Sequence, residues 1–118
     1  MSEVWNPAAV EARIREVSER IARGVGVCDQ TYRAHLDADR DYDAAYARAY
    51  LAHPGAAHEK KHAAELATQA EREARDEADA AHRYADRQAR ALESELRALQ
   101  SVGASIRAMY ATAGRGEA

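Results

Sequence analysis

The 118 residues carry 17 Lys and Arg against 20 Asp and Glu, a formal net charge of −3, and thirty alanines but no phenylalanine. That length suits one domain, and so few bulky apolar side chains exclude a thick hydrophobic core, the situation in which small domains gain stability by associating. The charge balance excludes a protein coated with positive charge, and no apolar run reaches the length of a membrane span.

The opening residues lack the charged and hydrophobic regions of a secretion signal, so the expectation is a soluble, cytoplasmic protein. In Asn6-Pro7 the asparagine caps a helix and the proline takes its first helical position, where a missing N–H costs nothing. Val10, Ile14, Val17 and Ile21 then follow at spacings of four and three, one face of a helix. Gly24 and Gly26 each cost about 1 kcal/mol relative to alanine and predict a kink or short break. The seam resumes through Cys28, Tyr32, His35 and Leu36. Cys28 is the single cysteine, so no internal disulfide forms and a reducing compartment is expected. Its place on the apolar stripe makes it a small core residue and not a nucleophile. Tyr42, Tyr46 and Tyr50 form a ladder at four-residue spacing.

His53-Pro54-Gly55 is the clearest stop, so N-terminal helices span about 8–52 and a turn spans 53–56. From 57 to 113 there is no proline, and Gly103 is the lone glycine. The spacing predicts one long helix of roughly 80 Å, too long to stand alone. Its stripe runs Ala67, Ala70, Ala74, Ala78, Ala81, Ala85, Ala89, Leu92 and Leu96 with an 11-residue period, then Leu99, Gly103, Ile106 and Tyr110 with a heptad period. The fold class is therefore all-α: kinked N-terminal helical segments plus one long C-terminal amphipathic helix in a single domain over 1–118. The hairpin or bundle is completed by oligomerisation near 89–110. Leu92, Leu96, Leu99, Ile106 and Tyr110 are the self-association residues. The stripe also has the option of folding back on 8–50 as an antiparallel hairpin, and the two arrangements are compatible.

His58-Glu59-Lys60-Lys61-His62 matches H-E-x-x-H, in which two imidazoles one turn apart bind zinc and the glutamate acts as base. Here it opens a helix beside two ammonium groups, and His53 and His82 lack the spacing of a third ligand. A solvated helix start is the expected reading, with no metal and no cofactor. There is no nucleophile elbow, P-loop or dinucleotide fingerprint, and the carboxylates alternate with arginines as in surface pairing. The chain is expected not to be an enzyme. A basic strip is the better candidate: Lys60 and Lys61, then Arg72 and Arg75, then Arg83, Arg87 and Arg90. Residues 80–115 carry six arginines against three acidic residues. Guanidiniums and ammoniums in a row suit the phosphates of a single strand, and Tyr42, Tyr46, Tyr50 or Tyr84 would stack bases. The competing readings are a solvated charged face and tyrosines buried in the core.

The stretch Tyr46-Ala-Arg-Ala-Tyr50-Leu51, a short break, and Glu59-Lys60-Lys61 leading into an alanine- and charge-rich helix resembles the central region of the UvsY-like recombination mediators of tailed bacteriophages. Leu96-Arg-Ala-Leu99-Gln100-Ser101-Val102-Gly103-Ala104-Ser105-Ile106-Arg107 resembles their C-terminal helix, and together these stretches cover roughly residues 42–110. The resemblance implies a helical homo-oligomer closed through the C-terminal helix. It would bind single-stranded DNA, help displace the single-strand-binding protein and load a RecA-like recombinase in the bacterial host cell. By position, Lys60 and Lys61 match the family's basic pair, and Arg72 and Arg75 fall where its helix is also basic. The departure is charge, because Glu71, Glu73, Asp76 and Glu77 alternate with those arginines. The residues expected at the nucleic acid are Lys60, Lys61, Arg72, Arg75, Arg83 and Arg87. The alternative is a helical homo-oligomeric adaptor or scaffold that touches no nucleic acid.

Overall fold

The computed structural model describes residues 6–116; the N-terminal residues read for a secretion signal and the side chain of Arg115 lie outside what it describes. It holds three α-helices, α1 (Pro7–Ala52), α2 (Ala57–Ala67) and α3 (Gln69–Gly116), with no strand among the described residues. The all-α class follows. No described helix is long and apolar enough to cross a membrane.

α1 begins as its first residues dictate. The Asn6 side-chain oxygen accepts the Ala9 N–H at 2.9 Å, and its carbonyl accepts the Val10 N–H at 3.0 Å. These contacts satisfy amide groups that a bare helix end leaves orphaned. No break occurs at Gly24 and Gly26, where a kink or short break was expected, since α1 continues through both. Two glycines cost the helix about 2 kcal/mol in propensity, and packing of the turns on either side outweighs that. A Cβ at either glycine would meet nothing within 4 Å, so neither serves a close approach. Gly55 differs. Its φ of +129° lies where side-chain-bearing residues are strained, and the Glu59 carboxylate occupies the space a Cβ would take.

The helix expected over 57–113 is two helices, divided at Thr68. This residue has φ −116° and ψ 21° and is 2% exposed. Its hydroxyl donates to the Ala64 carbonyl at 2.7 Å, and its own carbonyl accepts the Arg72 N–H at 3.0 Å as α3 begins. A buried β-branched residue whose hydroxyl competes for backbone carbonyls disturbs a helix at that point.

Both long helices carry a line of covered residues at spacings of three and four, with further half-buried residues such as Tyr46, Tyr50, Asp79 and Glu95 beside it. In α1 the line is Val10, Ile14, Val17, Ile21, Gly24, Cys28, Thr31, His35, Ala38, Tyr42, Ala45 and Ala49. From the end of α2 through α3 it is Ala64, Thr68, Glu71, Arg75, Ala78, His82, Ala85, Ala89, Leu92, Leu96, Leu99, Gly103 and Ile106. This is a heptad seam throughout, where an 11-residue alanine repeat was expected. A seven-residue repeat drifts about 20° around a straight helix with each heptad. A column at constant angle therefore leaves the seam, and Ala67, Ala70, Ala74 and Ala81 are exposed.

The chain divides into two compact units, one of residues 1–25 with 87–118 and the other of residues 26–86. In the first, Val17, Leu92 and Leu99 form the buried core, with Ile14, Ile21 and Leu96 packed on it. The helices run antiparallel there, since Val10 and Ile14 approach Gly103 so closely that a Cβ would lie 3.3 Å from Val10 Cγ1. In the second unit the pairing is also antiparallel, with Thr31 and Tyr32 of α1 beside His82 of α3. There the seam is alanine and polar side chains. The Thr31 hydroxyl lies 2.9 and 3.1 Å from the carbonyl oxygens of Val27 and Cys28 in its own helix and 3.4 Å from His82 Nδ1 across the pair.

Candidate nucleic-acid interface

The structure separates the six residues expected at a nucleic acid. In the second unit Lys60 is half-buried with Nζ 5.8 Å over the Tyr50 ring, and the Arg75 guanidinium lies 4.4 Å over Tyr42 and 3.6 Å from Asp76. Both are cations held against aromatic faces. Lys61 and Arg72 are exposed. Arg83 is exposed and paired with Asp79 at 3.0 Å. Arg87, in the first unit, is exposed. Of the self-association residues, Leu92, Leu99 and Ile106 are buried and Leu96 packs on the same core, whereas Tyr110 is 58% exposed. The leucine seam is thus covered within the chain by α1.

The tyrosine ladder belongs to the packing. Ring centroids of Tyr42, Tyr46 and Tyr50 lie 6.1 and 6.3 Å apart, all three side chains are half-buried, and Lys60 and Arg75 cover two of the rings. Burial first, then the nearby Glu65 carboxylate and the neighbouring phenols, raises the Tyr46 pKa above its ordinary 10.0. Tyr84 stands apart at 67% exposed. His58, Glu59 and His62 of the H-E-x-x-H stretch are exposed, with His62 Nδ1 3.6 Å from Glu65. No group of three or more His, Cys, Asp and Glu among the described residues is placed to hold a metal ion.

With the seam as heptad positions a and d, positions b, c and f point away from the partner helix. From 87 to 105 those outward positions of α3 are Arg87, Arg90, Ala91, Ser94, Arg97, Ala98, Ser101, Ala104 and Ser105, all exposed. The face carries arginines and small side chains and no carboxylate. Glu93 flanks it, and Glu95 is held by Arg13, whose pKa is raised chiefly by its hydrogen bond to Glu95 and then by the one to Glu16. No family model, curated protein or solved structure matches the chain.

Charge divides along the same line. Residues 26–86 carry thirteen acidic against eight basic residues, and the remaining residues seven against nine. In the second unit the outward positions of α3 hold Glu73, Asp76 and Glu77 before reaching Arg83. Arg97 thus belongs to the basic face with Arg87 and Arg90, and it becomes recognisable once the heptad register is known.

Proposed function

We propose that the chain is a single-stranded-DNA-binding recombination mediator, a binding protein and not an enzyme, that helps load a RecA-like recombinase. The observation that carries the DNA contact is the exposed Arg87, Arg90 and Arg97 face of α3 with its serines and alanines. Guanidiniums are always charged and fork onto phosphate oxygens. Small neighbours let a sugar–phosphate backbone approach them closely, and attraction to such a face is independent of base sequence. The mediator role and its setting in the bacterial cytoplasm rest on the likeness of residues 42–110 to the UvsY-like proteins.

Fluorescence anisotropy with a labelled oligonucleotide tests the contact. Three neutralised phosphates predict log K falling with log salt at a slope of about −2. Replacing Arg87, Arg90 and Arg97 with alanine weakens low-salt binding at least tenfold, while Lys61→Ala with Arg72→Ala leaves most of it. The opposite ranking would sink this assignment. A helical adaptor without nucleic-acid binding is the second reading, favoured by the exposed Leu51, Leu66 and Met109; absence of binding at low salt decides for it.

A further inference from the structure

We infer that the outward row of α3 holds a single strand by its sugar–phosphate backbone alone and leaves the bases turned away from the protein, open to pairing. This rests on the strand contact proposed above and adds how the strand lies on it. The segment Arg90-Ala91-Leu92-Glu93-Ser94 returns one heptad later as Arg97-Ala98-Leu99-Gln100-Ser101. Both leucines are buried in the core, so the repeat sets its arginine and its serine outward twice in the same register. With Arg87 in front, the donors run Arg87, Arg90, Ser94, Arg97 and Ser101 at spacings of three and four. All five are exposed, and all belong to one compact unit.

At 1.5 Å of rise per residue the donors follow one another about every 5 Å, in a straight row about 21 Å long. Arg97 Nη2 lies 3.5 Å from Ser94 Oγ, so guanidinium and hydroxyl are close enough to share one phosphate group. Sites that also hold the bases complete such a row with aromatic rings on which bases stack. Here the side chains beside the donors are Ala91, Ala98 and Ala104, and no outward position from 87 to 105 is aromatic. The bases find no ring to lie on and stay in water, on the side of the strand away from α3. The carboxylates of α3 within this unit are Glu93 and Glu95. Glu95 is tied to Arg13, whereas Glu93 is exposed beside the row, where the second repeat has Gln100. Glu93 therefore sets a negative charge beside the phosphates and weakens the hold of the first repeat.

Anisotropy at low salt compares an intact labelled oligonucleotide with one of equal length whose internal sugars lack bases. The two should bind within about twofold of each other, whereas a site that stacks bases would lose about fivefold or more for each base removed. A 2-aminopurine placed mid-strand should keep its free-strand fluorescence in the complex, because stacking would quench it. Ser94→Ala with Ser101→Ala should weaken both strands alike by about fivefold, and Glu93→Gln should strengthen both by about twofold. Quenched 2-aminopurine, or an abasic strand bound far more weakly than the intact one, overturns the backbone-only hold and leaves the strand contact standing. Serine and Glu93 variants that bind like the parent overturn the register of the row. No binding of either strand overturns the strand contact itself, and this inference with it.

Discussion

Single residues in this chain are read by what surrounds them more than by their type. Gly24 and Gly26 sit inside an unbroken helix with open space where a Cβ would be. Replacing either with alanine should raise stability by about 0.5–1 kcal/mol, because the unfolded chain loses freedom and the helix loses nothing. Thermal denaturation of Gly24→Ala and Gly26→Ala checks this, and a lowered Tm would show that a glycine is needed there. Arg75 and Lys60 teach the converse. Both are basic and both belong to the expected strip, yet the positions they take on the helix turn them toward tyrosines. No residue type or local spacing reveals that, since an arginine at a seam position and one outside it look alike in sequence.

At the scale of the element, the two long helices divide their work between bulk and polarity. The first unit packs Ile14, Val17 and Ile21 on Leu92, Leu96 and Leu99. The second packs alanine, threonine, histidine and tyrosine, with His35 Nδ1 and Glu71 Oε2 buried without a hydrogen-bond partner. Unpaired buried polar atoms cost free energy, and alanine contributes little burial in return. Stability therefore concentrates in the first unit. Leu92→Ala, at 6% exposed, should cost about 2–5 kcal/mol, whereas Leu66→Ala, at 71% exposed, should stay within about 0.5 kcal/mol. Chemical denaturation of the two variants provides the comparison, and equal effects would contradict the burial pattern. The break at Thr68 was hidden because threonine has only a mildly poor helix propensity and declares itself through its burial and its hydrogen bond to Ala64.

At the scale of the whole molecule, a net charge of −3 conceals an acidic unit and a basic one. The proposed strand contact, Arg87, Arg90 and Arg97, lies wholly in the basic unit. Added salt should therefore weaken oligonucleotide binding while leaving the helical circular dichroism unchanged, and binding that salt does not weaken would place the contact elsewhere.

The helices themselves were legible in the residues: the Asn6-Pro7 start, the His53-Pro54-Gly55 stop, the lack of any membrane-length apolar run, and the leucine-rich stretch as the strongest apolar face. These depend on local chemistry, which neighbours in the chain settle among themselves. Which alanines are covered, which arginines face outward and where the outer face turns from acidic to basic depended on tertiary packing. Alanine is at ease both inside and outside a helix pair. With thirty of them in the chain, several stripes of nearly equal apolarity compete, and only the partner helix, by taking a heptad register, decides among them.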